Sequence, residues 1–219
     1  MDCAIWPPPA RMGRIFLLRA RAAEGLPPRA AGPTALRHRM TTPDISSTTA
    51  RLCGACGMCC NGVMFHIVRL QPGDSPKALA AMGLKLKRKR GECQIIQPCP
   101  AHRDSQCSIY AARPERCRIF ECRQLQRVAA GEITEAMAME KIGKARRLAA
   151  EVHALLLRTG GTNEKHPLSK RCETAMAVPP DPSADEAAAA TRIRLTLAKQ
   201  ELDALLDQDF RISTTGPTC

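Results

Sequence analysis

Cys53-Gly54-Ala55-Cys56-Gly57-Met58-Cys59-Cys60 places four thiols within eight residues, and five more follow at Cys93, Cys99, Cys107, Cys117 and Cys122. Thiols at this density either cross-link or hold a metal. A disulfide framework needs an oxidising compartment and hence a secretory signal. Upstream, Arg14 is followed by only Ile15-Phe16-Leu17-Leu18 before Arg19, far short of the roughly 7–15 apolar residues of a signal-peptide core. No stretch approaches the roughly 18 apolar residues of a membrane span. The expectation is a soluble, cytoplasmic chain with no membrane partner, whose reduced and clustered thiols bind metal. The adjacent pair Cys59-Cys60 points the same way. Bridging neighbours strains the backbone, whereas two neighbouring thiolates can serve different metal atoms or sites.

Composition sets the surroundings of that cluster. Among 219 residues there are one Trp, one Tyr and four Phe. Leu, Ile, Met and Ala must therefore fill the core, and metal bonds should supply folding energy where burial does not. The formal charge is +12, but residues 1–39 alone hold seven Arg, no Lys and two acids, together with Pro7-Pro8-Pro9 and Pro27-Pro28. That segment has no apolar period, so residues 1–45 read as a disordered extension. Its Arg-rich, acid-poor character could suggest a transit peptide. The preferred explanation is an over-extended reading frame with Met40 as the true start.

Downstream the signals are those of a compact α+β unit: a small, irregular, metal-stapled Cys-rich domain with short strands, followed by packing helices. Val63 to Leu70 reads as a buried strand, Gln71-Pro72-Gly73-Asp74 as a turn, and Ser75-Pro76 as the cap and first position of a short helix ending near Gly83. Leu84-Lys85-Leu86-Lys87 and Cys93-Gln94-Ile95-Ile96 can form a hairpin. Cys99 to Cys107 reads as a ligand-bearing loop. Pro114 can start a helix and Gly131 can follow the end of one. A continuous helix would set Cys117 and Cys122 about 140° apart, so either it breaks or the two serve different sites. From Thr134 to Leu157 the pattern is a packing helix with Met137, Ile142, Ala145, Ala149, Val152 and Leu156 on one face. The division expected is a metal-binding domain over 46–158, a polar, Pro-rich linker over 159–182, and a last helix and tail over 183–219, opened by the capping-box pattern Ser183-Ala184-Asp185-Glu186.

Cys-x2-Cys-x2-Cys puts three soft ligands on one tight loop and asks for a fourth from elsewhere. A tetrahedral zinc or an iron–sulfur cluster both suit it. Four thiolates around either leave a net charge of about −2 that must be compensated. Arg51, Arg69, Arg103, Arg113, Arg116, Arg118 and Arg123 all lie near cysteines in the sequence. Arg113 and Arg118, flanking Cys117, are the candidates to neutralise the bound group. His66 and His102 are possible ligands, although with nine thiols available neither is needed.

Beyond Cys53–Cys60, Cys99-Pro100 and the run Cys107-Ser-Ile-Tyr-Ala-Ala-Arg-Pro-Glu-Arg-Cys117-Arg-Ile-Phe-Glu-Cys122 complete a longer pattern. It closely resembles the CxxCxxCC cysteine-cluster family, also called YkgJ-like, of zinc- or iron-chelating domain proteins. The resemblance covers roughly residues 51–123. It implies eight ligands: Cys53, Cys56, Cys59, Cys60, Cys99, Cys107, Cys117 and Cys122. Tyr110, Arg113, Pro114 and Arg118 match non-ligand positions of the pattern. Cys93 is extra to it, and His102 stands where an apolar residue is usual. The resemblance also implies a bacterial, cytoplasmic metal-binding protein without an assigned activity. A similar cluster in flagellin lysine methylases is associated with an iron–sulfur centre, but this chain shows no additional methyltransferase domain.

Two function classes compete. One is an iron–sulfur protein working on a protein or other macromolecular partner; the other is a zinc-stapled, non-catalytic binding module. Iron or an iron–sulfur cluster is preferred, because structural zinc rarely calls for a vicinal pair beside Cys-x2-Cys-x2-Cys. Nucleic-acid binding, suggested by Leu84-Lys85-Leu86-Lys87-Arg88-Lys89-Arg90, is disfavoured, since no aromatic platform accompanies the charge.

Overall fold

The octapeptide straddles the end of a helix. A computed structural model describes residues 45–104, 106–161, 163–178 and 186–212. Helix α1, Ile45–Cys56, carries Cys53 and Cys56 on its last turn. Gly57, at φ +66°, then reverses the chain so that Cys59 and Cys60 follow in the turn. The tight loop expected here is thus half helix. Leu52, only 1% exposed, anchors α1 in the core.

After that turn the chain builds a three-stranded antiparallel sheet from β1 (Ile67–Arg69), β2 (Leu86–Lys89) and β3 (Glu92–Ile96), with β3 in the middle. The expected long strand over 63–70 shrinks to β1. Its first half is diverted instead: Met64 donates its amide to Met58 at 3.0 Å, and Met64 and Phe65 pack on the helical core. Helix α2, Pro76–Ala81, starts as the sequence suggests, with Ser75 Oγ accepting the Ala78 amide at 3.3 Å. The β2–β3 hairpin forms with Leu86 opposite Ile95. Leu79, Leu84, Ile95 and Ala101 make a small core beneath the sheet.

The loop from Cys99 to Cys107 contains a miniature hairpin, β4 (His102–Arg103) against β5 (Gln106–Cys107). A 3-10 turn at Tyr110–Ala112 leads into α3, Glu115–Ile119. Phe120 is then extended, and Cys122 caps a new helix, α4, Arg123–Ala129. The helix therefore breaks between Cys117 and Cys122.

Helix α5, Glu135–Arg158, begins at Thr134, whose side chain accepts the Met137 amide. Its buried stripe is Ala138, Ile142, Ala145, Leu148, Val152, Leu155 and Leu156. Met137, expected inside, is 51% exposed; it lies in the first turn, one position ahead of that stripe. The stretch read as a linker contains α6, Leu168–Ala177, because Leu168 and Cys172 are buried against the helical core. Helix α7, Glu186–Asp209, lays Leu195, Ala198, Leu202, Leu205 and Leu206 into that core, which Phe210 closes. The expected extension over 1–45, apart from Ile45, and the capping residues Ser183, Ala184 and Asp185 lie outside the described residues. The described residues fall in one compact unit, Pro43–Ser213. Among them, no helix is long and apolar enough to cross a membrane.

Candidate metal centre

All ten described cysteines are free thiols. Eight of them gather in two adjoining neighbourhoods. Cys53, Cys56, Cys59 and Cys122 pack against the helical core. Burial pushes each thiol up, Cys56 to about 12 and Cys59 well above the usual range, and the neighbouring cysteines push the first three further. Backbone amides oppose this. The Met58 amide faces the Cys56 sulfur, and those of Gln124 and Leu125, at the start of α4, turn towards Cys122, although Cys122 forms no side-chain capping hydrogen bond. Amides aimed at sulfur stabilise thiolate over thiol.

The second neighbourhood is Cys60, Cys99, Cys107 and Cys117. The Cys99 amide donates to the Cys60 carbonyl at 2.8 Å, and His102 and Cys107 face each other across β4–β5. Cys117 sits on α3. Burial first, then the neighbouring thiols, raise Cys60 to about 12 and Cys117 to about 11. Burial also raises Cys99, against the pull of the Ala101 and His102 amides. As the side chains stand, no three described Cys, His, Asp or Glu residues are arranged to hold an ion. The donor set suits a soft metal in identity, and a metal would have to draw each neighbourhood inward.

Positive charge near these thiols is selective. Arg113 stacks over the Tyr110 ring, 3.7 Å from its centroid, and its guanidinium lowers both Cys53 and Cys117. Arg118 is exposed on α3. Three other arginines close to cysteines in sequence serve packing instead. Arg51 pairs with Glu135 at 2.7 Å, Arg69 with Glu92 at 3.3 Å, and Arg123 binds the Gln208 carbonyl at the end of α7. Sequence reasoning missed Arg146 on α5. It donates to the Ala55 carbonyl at 2.8 Å and lowers Cys56. No local signal marks it, because the contact joins residues 91 apart.

Residues 52–142 match the CxxCxxCC model, described as a "putative zinc- or iron-chelating domain". The match covers less than half of the chain, running from Leu52 in α1 into the first third of α5. No curated protein and no solved structure matches the chain.

Around the domain's cysteines the two histidines diverge. His66 is exposed and bonded to Ser169. His102 Nε2 is buried with no hydrogen-bond partner and lies over Gly57. Burial, then the Arg146 charge, pushes its pKa down, so the ring is neutral. Cys93 lies on β3, and Cys172, on α6, is buried in the helical core.

Proposed function

We propose that this is a cytoplasmic metal-binding protein whose cysteine cluster carries an iron–sulfur centre. Cys53, Cys56, Cys59, Cys60, Cys99, Cys107, Cys117 and Cys122 are the protein's metal ligands, and Arg113 and Arg118 compensate their charge. The observation that carries the reading is eight free, crowded thiols inside a zinc- or iron-chelating domain. As protons leave, seven of these groups meet burial, and most meet one another's charge. A bound cation offsets both. The amides aimed at Cys56, Cys99 and Cys122 favour an anionic sulfur, as in iron–sulfur sites. Bound there, a cluster would supply one-electron chemistry or a rigid staple; the activity is unassigned.

One observation favours the zinc alternative, a stapled binding module without catalysis. Each neighbourhood supplies four thiols, the closed donor set of structural zinc. Anaerobic purification with iron, zinc and sulfide analysis and a visible spectrum separates the two. A brown protein with matched iron and sulfide supports the cluster. A colourless zinc protein establishes the alternative, and a protein that retains no metal sinks both.

A further inference from the structure

We propose that the eight thiols form two separate four-thiolate metal centres, Cys53–Cys56–Cys59–Cys122 and Cys60–Cys99–Cys107–Cys117, set back to back at the vicinal pair Cys59–Cys60. This rests on the metal-binding reading above and goes further, by dividing the ligands.

The division follows from packing. Cys53, Cys56, Cys59 and Cys122 all lie against the helical core, whereas Cys99 lies against the separate small core under the sheet. Cys60 is tied to the second group through the backbone, by the Cys99 amide on its carbonyl at 2.8 Å. The miniature hairpin folds Cys107 back towards Cys99. His102 donates to the Cys99 carbonyl at 3.0 Å and is itself paired with Cys107. Thus two ligands of the second centre come from one loop, Cys99 at its start and Cys107 in its hairpin, and a third from the turn that loop is bonded to.

Two junctions in the chain separate the sets. At the first, Cys59 packs against the helical core while the carbonyl of its neighbour Cys60 accepts the Cys99 amide, so one peptide bond divides the centres. At the second, the extended residue Phe120 breaks the helix between Cys117 and Cys122. Phe120 fills the gap by packing edge-on against Phe65, ring centroids 5.0 Å apart, on the helical core. A helix continuous through Phe120 would have kept both cysteines on one rod about 140° apart; the break sends one to each set. The packing of the two helices agrees: α3, which carries Cys117, lies against β1 of the sheet, whereas α4, which Cys122 caps, lies against α1 and α5.

The test is anaerobic titration of the full, chelator-stripped and reduced chain with Co(II), followed by thiolate-to-cobalt charge transfer and native mass spectrometry. Two equivalents per chain are expected for the wild type. Cys56→Ser and Cys117→Ser should each retain one, and the double variant none. One equivalent in the wild type overturns the division but leaves metal binding standing. Complete loss in a folded single variant also overturns it, because that is the behaviour of one shared, bridged cluster. No cobalt bound by the wild type sinks the metal-binding reading itself. If Cys56→Ser loses its helical circular dichroism, Cys107→Ser on the exposed hairpin decides alongside the wild-type count. Retention of one equivalent supports two centres, and retention of none overturns them.

Discussion

At the scale of single residues, Gly57 and His102 leave each other no room. A Cβ on Gly57 would stand 2.7 Å from His102 Nε2, and the backbone there has φ +66°. Gly57→Ala therefore carries two penalties, left-handed strain and displacement of a buried ring, on the order of 1–3 kcal/mol together. His102→Ala in the same chain should restore the steric part and leave the strain. Thermal melts of the two single variants and the double variant check this; strictly additive effects would mean that the ring does not feel the new methyl. Arg113 offers a second residue-scale outcome. Because its guanidinium acts on Cys53 and Cys117, Arg113→Gln should speed chelator-driven metal loss by a graded amount, about 1 kcal/mol given its partial exposure. Arg118→Gln should do less, and Arg158→Gln, at the far end of α5, serves as control. Loss at the control's rate from Arg113→Gln would make that arginine structural, held by its stack on Tyr110 and its bond to the Tyr110 carbonyl at 3.0 Å.

Among the elements, α7 contributes leucines to the helical core but no cysteine ligand. Leu202, 1% exposed, faces that core. Leu202→Ala should cost about 2–5 kcal/mol through lost burial and the cavity left behind. The metal content per folded chain should not change, since the candidate ligands come from α1, the turn after it, the Cys99–Cys107 hairpin, α3 and the cap of α4. Denaturant melts paired with metal analysis test this. Loss of metal in step with stability would show that α7 holds the thiols in place. The same helix is fixed at its far end by polar contacts that the apolar pattern does not announce. Lys141 reaches the buried Asp209 at 2.9 Å, and buried Gln124 donates to the Asp209 carbonyl at 2.7 Å.

For the molecule as a whole, the buried thiols fix the direction of the pH response. Burial and mutual repulsion raise Cys56 and Cys60 to about 12 and Cys117 to about 11, from an ordinary 9.0. With a chelator present, the folded chain holds these protons above pH 9 while the unfolded chain releases them. Their contribution to stability is therefore fully present below pH 9 and is lost as pH rises towards 11–12, at up to about 1.4 kcal/mol per pH unit for each thiol. With metal bound the thiols are already deprotonated, so protons compete with the ion and acid releases it. Denaturation midpoints across pH 7–11, with and without chelator, should show the chelated protein falling at the alkaline end. A chelated protein that gains stability there would contradict the burial of these groups.

Local pattern alone carried much of this. The spacing Cys53-x2-Cys56-x2-Cys59-Cys60, with the run to Cys122, named the domain and its eight thiols, and 52–142 matches that family. Ser75-Pro76, the Leu86–Ile95 hairpin and the helix beginning near Thr134 were legible because caps, turns and amphipathic periods act within a few residues. What sequence could not give was the partner of any side chain across the fold. Helix α1 was hidden because Leu52 meets its core partners only across the fold, and α6 because three buried residues, Leu168, Arg171 and Cys172, in a polar stretch leave no period to read. Which arginine faces the thiols, and which thiol faces which, depends on contacts between residues tens of positions apart, such as Arg146 with Ala55 and Cys99 with Cys60. Chain-local physics set the ligand chemistry. Only the tertiary packing of two cores, and the helix break at Phe120, decided that Cys53, Cys56, Cys59 and Cys122 lie against the helical core and Cys99 against the small core under the sheet.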